Sequence, residues 1–513
     1  MITHPFVSGG LKEEIWEITV NTEATTSGAK TTGIPINLYS QPGITMTVDW
    51  GDGTESVLTS ASYSSASDSA PSVHEYATAG TYIVQMKSTK WKGAYIDVLQ
   101  NNSTGNLSHI AGFRSTLVGV GQLPRCKGLL YRFSSTLDAY RATNNLFYCF
   151  YGCSKLTSIP DGLFANNPAV TSFVSCFNGC SSLTSIPAGL FDNNPKVENF
   201  ASCFERCSNL TSIPAGLFDN NPAVTEFASC FNGCSKLASI PDGLFANNPA
   251  VTNFISCFTR CSNLASIPGG LFANNPKVEY FNFCFESCSN LTSIPAGLFD
   301  NNPAVTDFRY CFHGCSKLAS IPAGLFDNNP EVTNFECCFW SCSKLGNIPA
   351  GLFHNNSKVT SFHMTFFACN LSNIPVDIFT NCTAVTDMSG TFGDNPISSV
   401  PSGLFSSQTL VTTLGNNINT DNGIFSASNS NKGVIAIDEN LFANMLNLTE
   451  ARFAFSGHYG FSIRFRATEL TVVTSFCDKN TEQPVTVYVP AGSATAEAFH
   501  AIASTNGITV VEE

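Results

Sequence analysis

A Cys-Phe pair returns every 27 residues through the middle of this 513-residue chain. The cysteines of these pairs are Cys149, Cys176, Cys203, Cys230, Cys257, Cys284, Cys311 and Cys338. A second column of cysteines lies four positions later, from Cys153 to Cys369, and Cys126 lies one period upstream. A fixed period of this length predicts a solenoid, in which each unit buries its apolar side chains only by stacking on its neighbours.

Each 27-residue unit consists of two similar halves whose apolar positions recur at every third residue. Phe150, Cys153, Leu156 and Ile159 have the same spacing as Phe164, Asn167, Val170 and Phe173. A period of three suits neither an amphipathic helix nor a long strand, and it predicts a coil of short strands and helical turns. We predict short strands at 183–187 and 197–200, and helical turns at 189–191 and around 203–204.

The cysteine columns occupy inward positions of the coil. Cys149 stands where the other half has Leu163, Cys153 stands where it has Asn167, and Cys382 stands where other units have Asn. Asn at such a turn bonds neighbouring backbone, whereas Cys fills a small apolar space. A closed structural zinc site requires four converging protein ligands, which parallel columns do not supply. We therefore expect buried free thiols and no metal site; disulfides between stacked coils remain the alternative, because the spacing permits them.

The irregular flanks of the repeats complete the predicted domain organisation. We expect an N-terminal arm at 1–13, a β-sandwich at 14–100, irregular N-terminal repeats or a cap at 101–148, nine repeats at 149–395, and diverged repeats with a C-terminal cap at 396–513. Terminal units of a solenoid have to cover its exposed apolar ends. The cap is predicted to contain a strand at 485–490 and a covering helix near 496–502.

The pattern Cys-Phe-x-x-Cys-x-x-Leu-x-x-Ile-Pro resembles the repeat core of the BspA-like, Treponema-type leucine-rich repeat family. The stretch from Val385 to Phe392 resembles related bacterial surface repeats, and Tyr488 to Gly492 resembles the way such proteins end. The 27-residue period is longer than the usual unit of the family. The resemblance implies an α/β, leucine-rich-repeat-like solenoid, exposure on a bacterial surface, attachment to other proteins or cells, and no enzymatic activity.

The segment around Trp50 resembles a PKD-type β-sandwich domain, through Val48-Asp49-Trp50-Gly51-Asp52-Gly53-Thr54 followed by His74-Glu75-Tyr76 and Gly80-Thr81-Tyr82. The glycines permit a tight turn and Trp50 is expected to fill the sandwich. Residues 81–86 alternate as a half-buried strand. Asp49 and Asp52 are expected to form turn hydrogen bonds, with cation binding as the alternative.

Outward columns vary from unit to unit, and aromatic residues and histidines gather in the later repeats. These candidate ligand-binding residues are Tyr280, Phe283, Tyr310, His313, Trp340 and His363. Exposed aromatic clusters are typical of surfaces that bind proteins or sugar rings. The alternative is that these side chains pack against the C-terminal flank.

Charge and composition exclude several function classes. Only 12% of residues are charged, the net charge is −13, and no Lys/Arg cluster exists, which disfavours nucleic acid as a partner. No apolar run approaches the roughly 18 residues of a membrane span. The eight histidines lie in no nucleophile motif, and no phosphate-binding glycine loop is present, so we expect no catalytic residues and no cofactor.

These observations favour a non-enzymatic recognition or adhesion protein on a bacterial cell surface, with a host or bacterial surface protein or glycan as its partner. The N-terminal residues Met1 to Phe6 lack the features of a secretory signal. One alternative is therefore a phage fibre, decoration or receptor-binding protein at the virion surface, with other virion proteins as further partners. Another is a polysaccharide-active enzyme with two carboxylates distant in sequence.

Overall fold

A computed structural model describes residues 14–21, 33–39, 45–59, 72–78, 80–88, 95–97, 117–120, 146–165, 167–415, 423–427, 431–477 and 483–513. The chain forms two compact units, Met1–Leu237 and Ala238–Glu513. The predicted arm at 1–13, Cys126 and most of the predicted cap at 101–148 lie outside the described residues.

The N-terminal part of the first unit contains eight described strands. They are β1 (Glu14–Asn21), β2 (Gly33–Tyr39), β3 (Thr45–Asp49), β4 (Glu55–Thr59), β5 (Ser72–Glu75), β6 (Thr81–Ser88), β7 (Tyr95–Asp97) and β8 (Leu117–Val120). One antiparallel sheet has the order β4-β3-β6-β1-β8, and a second has the order β5-β2-β7. The first sheet thus includes β8, from the segment that the sequence assigns to irregular repeats.

The turn between β3 and β4 shows why this sequence pattern forms a hairpin. Trp50 is 1% exposed, and its indole nitrogen donates to Ser56 at 2.9 Å. Asp49 accepts from the Gly51 amide, and Asp52 accepts from the Thr54 amide, both at 3.0 Å. These are the turn hydrogen bonds that the sequence predicts. Gly51 has a φ of 77°, and a Cβ there would lie 2.4 Å from the Ile83 carbonyl oxygen, so only glycine fits.

The repeats fold into coils that turn at each inward residue. In the coil at 281–308, the Cys284 amide donates to the Phe281 carbonyl at 3.0 Å, and the Leu291 amide donates to the Cys288 carbonyl at 2.9 Å. The inward residues of this coil are almost completely buried. The period of three in the sequence therefore corresponds to a series of tight turns, each of which directs one side chain into the core.

The α part of the predicted α/β repeat is wrong, since residues 146–165 and 167–415 contain turns without α-helix. Gly189 and Ser202 adopt φ values of 72° and 55° at the predicted helical turns, and a left-handed residue interrupts a right-handed helix. Predicted strand 197–200 is reduced to a single bridge at Asn199, and 183–187 forms no ladder. The frequent turns leave too little straight backbone for longer strands.

Successive coils are joined by parallel bridges at one column. In the first unit the bridges link Ser172, Asn199 and Glu226. In the second unit they link Asn253, Tyr280, Asp307, Asn334, Ser361, Asp387, Thr413, Glu450 and Val472. Each unit thus contains a repeat solenoid, as the spacing of the sequence predicts.

Phenylalanine side chains stack from coil to coil in the core. In the second unit, Phe285, Phe312, Phe339 and Phe366 form a column with ring centroids 5.6 Å apart. Two parallel columns pass through Phe272 and Phe281, and these two rings meet at 4.7 Å in a tilted arrangement. Stacked and tilted rings at these separations are favourable beyond their apolar burial, so each coil packs its rings fully only beside another coil.

The Asn and Cys columns supply the same hydrogen bond at two corners of the coil. Asn302 Nδ2 donates to the Asn275 carbonyl at 2.9 Å and to the Phe272 carbonyl at 3.1 Å. Cys315 Sγ donates to the Phe285 carbonyl at 3.2 Å, which is the equivalent acceptor, 30 residues earlier. The cysteines are thus hydrogen-bond donors as well as apolar fillers, and the described ones are buried free thiols.

Residues other than Asn that occupy the Asn column also donate a hydrogen bond to the previous coil. Cys382, in the Asn column, donates from Sγ to the Phe353 carbonyl at 3.5 Å. In the next unit Gln408 donates to the Phe379 carbonyl at 2.7 Å. A buried donor is therefore required at this corner even where its side chain changes.

The C-terminal part of the second unit closes the stack. It contains β9 (Gly433–Val434), β10 (His458–Tyr459), β11 (Ser462–Arg464), β12 (Val485–Val489), α1 (Ala494–Asn506) and β13 (Ile508–Glu512), with β11-β12-β13 as a parallel sheet. Helix α1 begins after Ser493, whose hydroxyl accepts from the Ala496 amide, and ends at Gly507 with a φ of 66°.

The predicted strand and covering helix of this cap are both present, and the helix is longer than predicted. Phe499 of α1 is buried and stacks on Phe465 at 5.4 Å, so the helix covers the last rings of the core. Strand β13, which follows it, was not predicted. Among the described residues, no helix has the length and apolar character needed to cross a membrane.

Replacing the corner amide should destabilise the solenoid. Asn302→Ala removes the donor to two buried carbonyls and should lower the free energy of unfolding by about 1 to 3 kcal/mol, measured from urea unfolding. Asn302→Cys keeps a donor of the kind seen at Cys382 and should lose less. Asn301→Ala, at the exposed neighbouring position, is the control. Equal midpoints for Asn302→Ala and this control would contradict the role of the corner amide.

The buried thiols should make stability fall at alkaline pH. Burial raises the pKa of Cys180, Cys207, Cys288 and Cys342 well above the ordinary 9.0. These thiols stay protonated in the folded chain and ionise above about pH 9 in the unfolded chain, so unfolding releases protons there. Stability should be unaffected below pH 9 and fall above it, by up to about 1.4 kcal/mol per pH unit for each thiol.

Urea midpoints between pH 7 and 10 measure this fall in stability. Thiol titration of the denatured, unreduced protein is the companion measurement and should approach the 21 cysteines of the chain. A titration that finds few thiols would show that disulfides have formed instead.

Candidate functional site

Four of the six predicted binding residues form one continuous cluster on three successive coils. Phe283 and Tyr310 stack with ring centroids 4.7 Å apart and planes 8° apart. Tyr310 meets His313 edge-on at 5.6 Å, and His313 meets Trp340 at 4.6 Å. All four side chains are half-buried. We call Phe283, Tyr310, His313 and Trp340 the aromatic patch.

The other two predicted residues lie beside the patch rather than within it. Tyr280 occupies the bridge column, is 37% exposed and hydrogen bonds to the Glu279 side chain. His363 lies on the following coil, where its carbonyl accepts from the Cys337 amide at 2.8 Å. Cys337 in turn hydrogen bonds to the side chain of Tyr310. The structure therefore connects His363 to the patch through Cys337.

Phe367 and Gly393 form the end of the patch and were not predicted as site residues. Phe367 meets Trp340 edge-on at 6.3 Å, one coil further along the same column. Gly393 follows in that column, and a Cβ there would lie 2.6 Å from the Phe367 ring. Glycine is therefore needed for Phe367 to fold over the next coil. Phe367 lies 27 residues after Trp340, as Trp340 does after His313, and this spacing could have identified it in the sequence.

The described ring contacts of the patch are with one another and with Phe367, and none reaches residues 396–513. The alternative that these side chains pack against the C-terminal flank therefore finds no support in the ring contacts of the described residues.

Two residues of the patch have an unfavourable backbone conformation. Phe283 and Tyr310 have φ values of 59° and 56°, in the left-handed region. The same column holds Ser229 and Ser256 at φ 56° in earlier coils, so the coil geometry imposes this conformation regardless of side chain. Bulky residues rarely occupy this region. The aromatic residues are thus placed there at a cost in stability.

A charged network lies beside the rings. The Asp307 carboxylate accepts from Asn282 Nδ2, the Arg309 amide and the Arg309 guanidinium, each at 2.8 Å. Asp307 is 8% exposed, whereas the Arg309 side chain is 42% exposed. The buried carboxylate therefore fixes a partly exposed guanidinium next to Tyr310.

A His-Ser-Asp arrangement follows on the next coils but does not have the geometry of a catalytic triad. His363 Nδ1 lies 2.8 Å from Ser389 Oγ, and Ser389 Oγ donates to Asp387. In a triad the histidine lies between the other two residues and takes the serine proton. Here Ser389 is buried and its hydroxyl donates a hydrogen bond to the Asp387 carboxylate, so it acts as a structural bridge and not as a nucleophile.

Within the described residues, one group of potential metal ligands comes together that the sequence did not reveal. Ligand atoms of Glu336, Cys337 and His363 lie within 4.8 Å of one another. The sequence predicts no metal site, on the arguments that parallel cysteine columns do not converge and that Asp49 and Asp52 form turn hydrogen bonds; neither of these concerns the three residues of this group. Cys337 precedes Cys338 and belongs to neither repeated cysteine column. Its proximity to His363, which lies 26 positions later on the next coil, forms no motif in the sequence.

A shallow pocket of about 580 Å³ lies at the Asn-Asn-Pro corner of three coils. It is lined by Ala246, Pro249, Ala273, Asn274, Pro276, Asp300, Asn301 and Pro303. The same residue types recur at this corner in most units of the sequence. The pocket therefore reflects the regular coil shape, and it offers fewer specific groups than the aromatic patch.

Comparison with known proteins gives only distant similarity. No protein-family model and no curated protein matches the chain. A solved chain of the Toll–Spatzle complex, described as a hub in Drosophila development and innate immunity, is similar at 17% identity, covering 72% of this chain and 53% of that one with a TM-score of 0.36.

Two further solved structures are similar at the same level. The glycosylated form of the Toll–Spatzle complex matches at 18% identity, covering 66% of this chain and 52% of that one, with a TM-score of 0.31. The leucine-rich repeat domain of APL1B matches at 14% identity, covering 70% and 85%, with a TM-score of 0.32. The chain spans about half the length of the two Toll–Spatzle chains.

The assignment of a repeat solenoid therefore rests on the parallel bridges and the stacked side-chain columns within the chain itself. The BspA-like and PKD-type resemblances stay predictions.

The left-handed backbone at Phe283 predicts an unusual order of stabilities. Phe283→Gly and Phe283→Ala both remove the ring, but only glycine adopts this φ without strain, so Phe283→Gly should be the more stable by about 0.5 to 1 kcal/mol. Tyr280 lies at a bridge without a positive φ, and there Ala should be more stable than Gly. Urea unfolding of the four variants measures both differences. The same order at both sites would contradict the strain argument.

Proposed function

We propose that this chain is a non-enzymatic recognition protein that binds a protein ligand through the aromatic patch, on a bacterial cell surface. The observation that carries the proposal is the contact of four half-buried aromatic side chains across three coils, at positions where coils between 175 and 259 have small or polar residues. Ser229 and Ser256 correspond to Tyr310, and Asn178 and Asn232 correspond to Trp340. These rings are not needed for the coil to fold.

Exposure separates the patch from the core rings. The phenylalanines of the core columns are completely buried in each coil, whereas 22% of the His313 side chain is accessible. Clusters of Trp, Tyr and Arg that are partly buried before binding supply much of the affinity of protein interfaces. Arg309, held beside Tyr310 by Asp307, adds the third of these residue types.

Ring geometry favours a protein over a sugar as the ligand. Phe283 and Tyr310 each use one face to stack on the other, and Trp340 lies against His313. The patch thus presents ring edges and a guanidinium together. Such a surface suits apolar and acidic side chains of a protein, whereas sugar rings stack on open aromatic faces.

Electrostatics and the histidine arrangement support recognition rather than catalysis. The net charge of −13 is unfavourable for nucleic acid. The fully buried Ser389 donates its hydroxyl hydrogen bond to Asp387, whereas the serine of a catalytic triad donates to the histidine, so this group does not favour catalysis.

Exchanging the patch residues for those of other coils should abolish binding without unfolding the chain. The double variant Tyr310→Ser, Trp340→Asn should lose at least about 2 kcal/mol of binding free energy, or roughly 30-fold in affinity. The probe is a panel of purified secreted and cell-surface proteins next to an oligosaccharide array. Tyr151→Asn, in the same column as Trp340 but in the first unit, is the matched control.

Each outcome of that panel is informative. Protein binding lost in the double variant and retained in Tyr151→Asn supports the proposal. Binding only to oligosaccharides would contradict a protein ligand and indicate a glycan instead. Equal binding by the parent, the double variant and Tyr151→Asn would contradict a role for the patch. Immunogold labelling of intact cells and released particles tests the location, where label on virions would contradict a bacterial surface protein.

A further inference from the structure

We propose that Glu336, Cys337 and His363 form a binding site for Zn²⁺ or a similar transition-metal ion. Their ligand atoms lie within 4.8 Å of one another, on two adjacent coils. Carboxylate oxygen, thiolate sulphur and imidazole nitrogen are the three ligand types that zinc takes in proteins, at about 2.0 to 2.3 Å. Ligands around one tetrahedral ion are roughly 3.6 Å apart, so the side chains have to close by about 1 Å.

The site is a departure from the repeat pattern rather than part of it. Ala201 and Ala228 occupy the column of Glu336 and His363, and Ser229 and Ser256 occupy the column of Cys337. Coil folding therefore requires none of the three ligand groups. The three ligand groups therefore come together on two coils whose backbone is the same as that of the other coils.

Neighbouring side chains orient two of the ligands. His363 Nδ1 lies 2.8 Å from Ser389 Oγ, and Ser389 is held by Asp387, which leaves Nε2 as the nitrogen available to a metal. A hydrogen bond from one ring nitrogen to an outer group is typical of metal-ligating histidines. The Tyr310 side chain makes the corresponding hydrogen bond to Cys337.

Charges around the site favour a cation. The nearby Arg309 guanidinium is paired with Asp307 at 2.8 Å, so its positive charge is compensated. Glu336 contributes a carboxylate that is only half-buried. Cys337 is buried, and cysteine binds a metal as the thiolate, so binding of the metal has to release the thiol proton.

Three protein ligands leave one position of a tetrahedral ion open. Closed structural zinc sites have four protein ligands, whereas open sites keep a position for water or another ligand. An external donor group, such as a carboxylate or imidazole of a bound partner, would complete the coordination. This inference stands on the ligand cluster alone and does not depend on the proposed function of the aromatic patch.

The test uses the full chain, reduced and stripped of metal, and titrates it with Zn²⁺ and Co²⁺. We expect one Zn²⁺ per chain by calorimetry, with an enthalpy that varies with the buffer because the thiol proton is released. Co²⁺ should produce a sulphur-to-cobalt charge-transfer band, which distinguishes a thiolate site from loose binding by surface carboxylates.

Variants drawn from other coils keep the fold and remove the ligands. Cys337→Ser should abolish the charge-transfer band, His363→Ala and Glu336→Ala should weaken Zn²⁺ binding, and Ser389→Ala should weaken it by about 10- to 100-fold through the orientation of His363. His354→Asn removes an exposed histidine that lies beside Asn381, outside the aromatic patch and the ligand cluster, so it is the control and should bind Zn²⁺ like the parent.

Unfolding midpoints measured without metal show whether each variant is folded. Absence of the charge-transfer band in the parent chain, or a band that persists in folded Cys337→Ser, would overturn the proposal.

Discussion

The solenoid depends on a side-chain donor that reaches back to the previous coil at each of two corners. A coil that turns at every third residue directs carbonyl groups into the space between coils, where water does not reach them. Asn302 and Cys315 show the two solutions, an amide that satisfies two carbonyls and a thiol that satisfies one. A buried carbonyl left unpaired costs about 1 to 3 kcal/mol, and repetition multiplies this cost along the stack.

The Asn amide and the Cys thiol differ in the other polar atoms that they bring into the core. The amide brings a carbonyl oxygen of its own into the core, and Asn302 Oδ1 is buried without a hydrogen-bond partner among the described residues. The thiol has no such second group, and its weak polarity suits a corner surrounded by phenylalanine. The abundance of cysteine in this chain therefore follows from the solenoid geometry, without any need for disulfides.

Sequence periodicity was sufficient to predict the solenoid, the inward columns and the cap helix, because all three follow from local spacing and burial. It was not sufficient to predict the backbone path. Ser202 and Tyr310 carry no sequence signal of a left-handed conformation, so turns were predicted as helical where the structure has none. The aromatic patch was found from column variation, whereas the cluster at Cys337 needed the register of adjacent coils.

The division between fixed inner columns and variable outer columns has a consequence for how such a chain can change. The units are nearly identical in sequence, so one unit of 27 residues is structurally equivalent to the next. Loss or gain of a unit away from residues 283–367 preserves the stacking of every ring and donor and leaves the aromatic patch intact. An insertion between Phe283 and Tyr310 would separate rings that now lie 4.7 Å apart. The scaffold therefore permits a change in the number of units, except within the few coils that carry the patch.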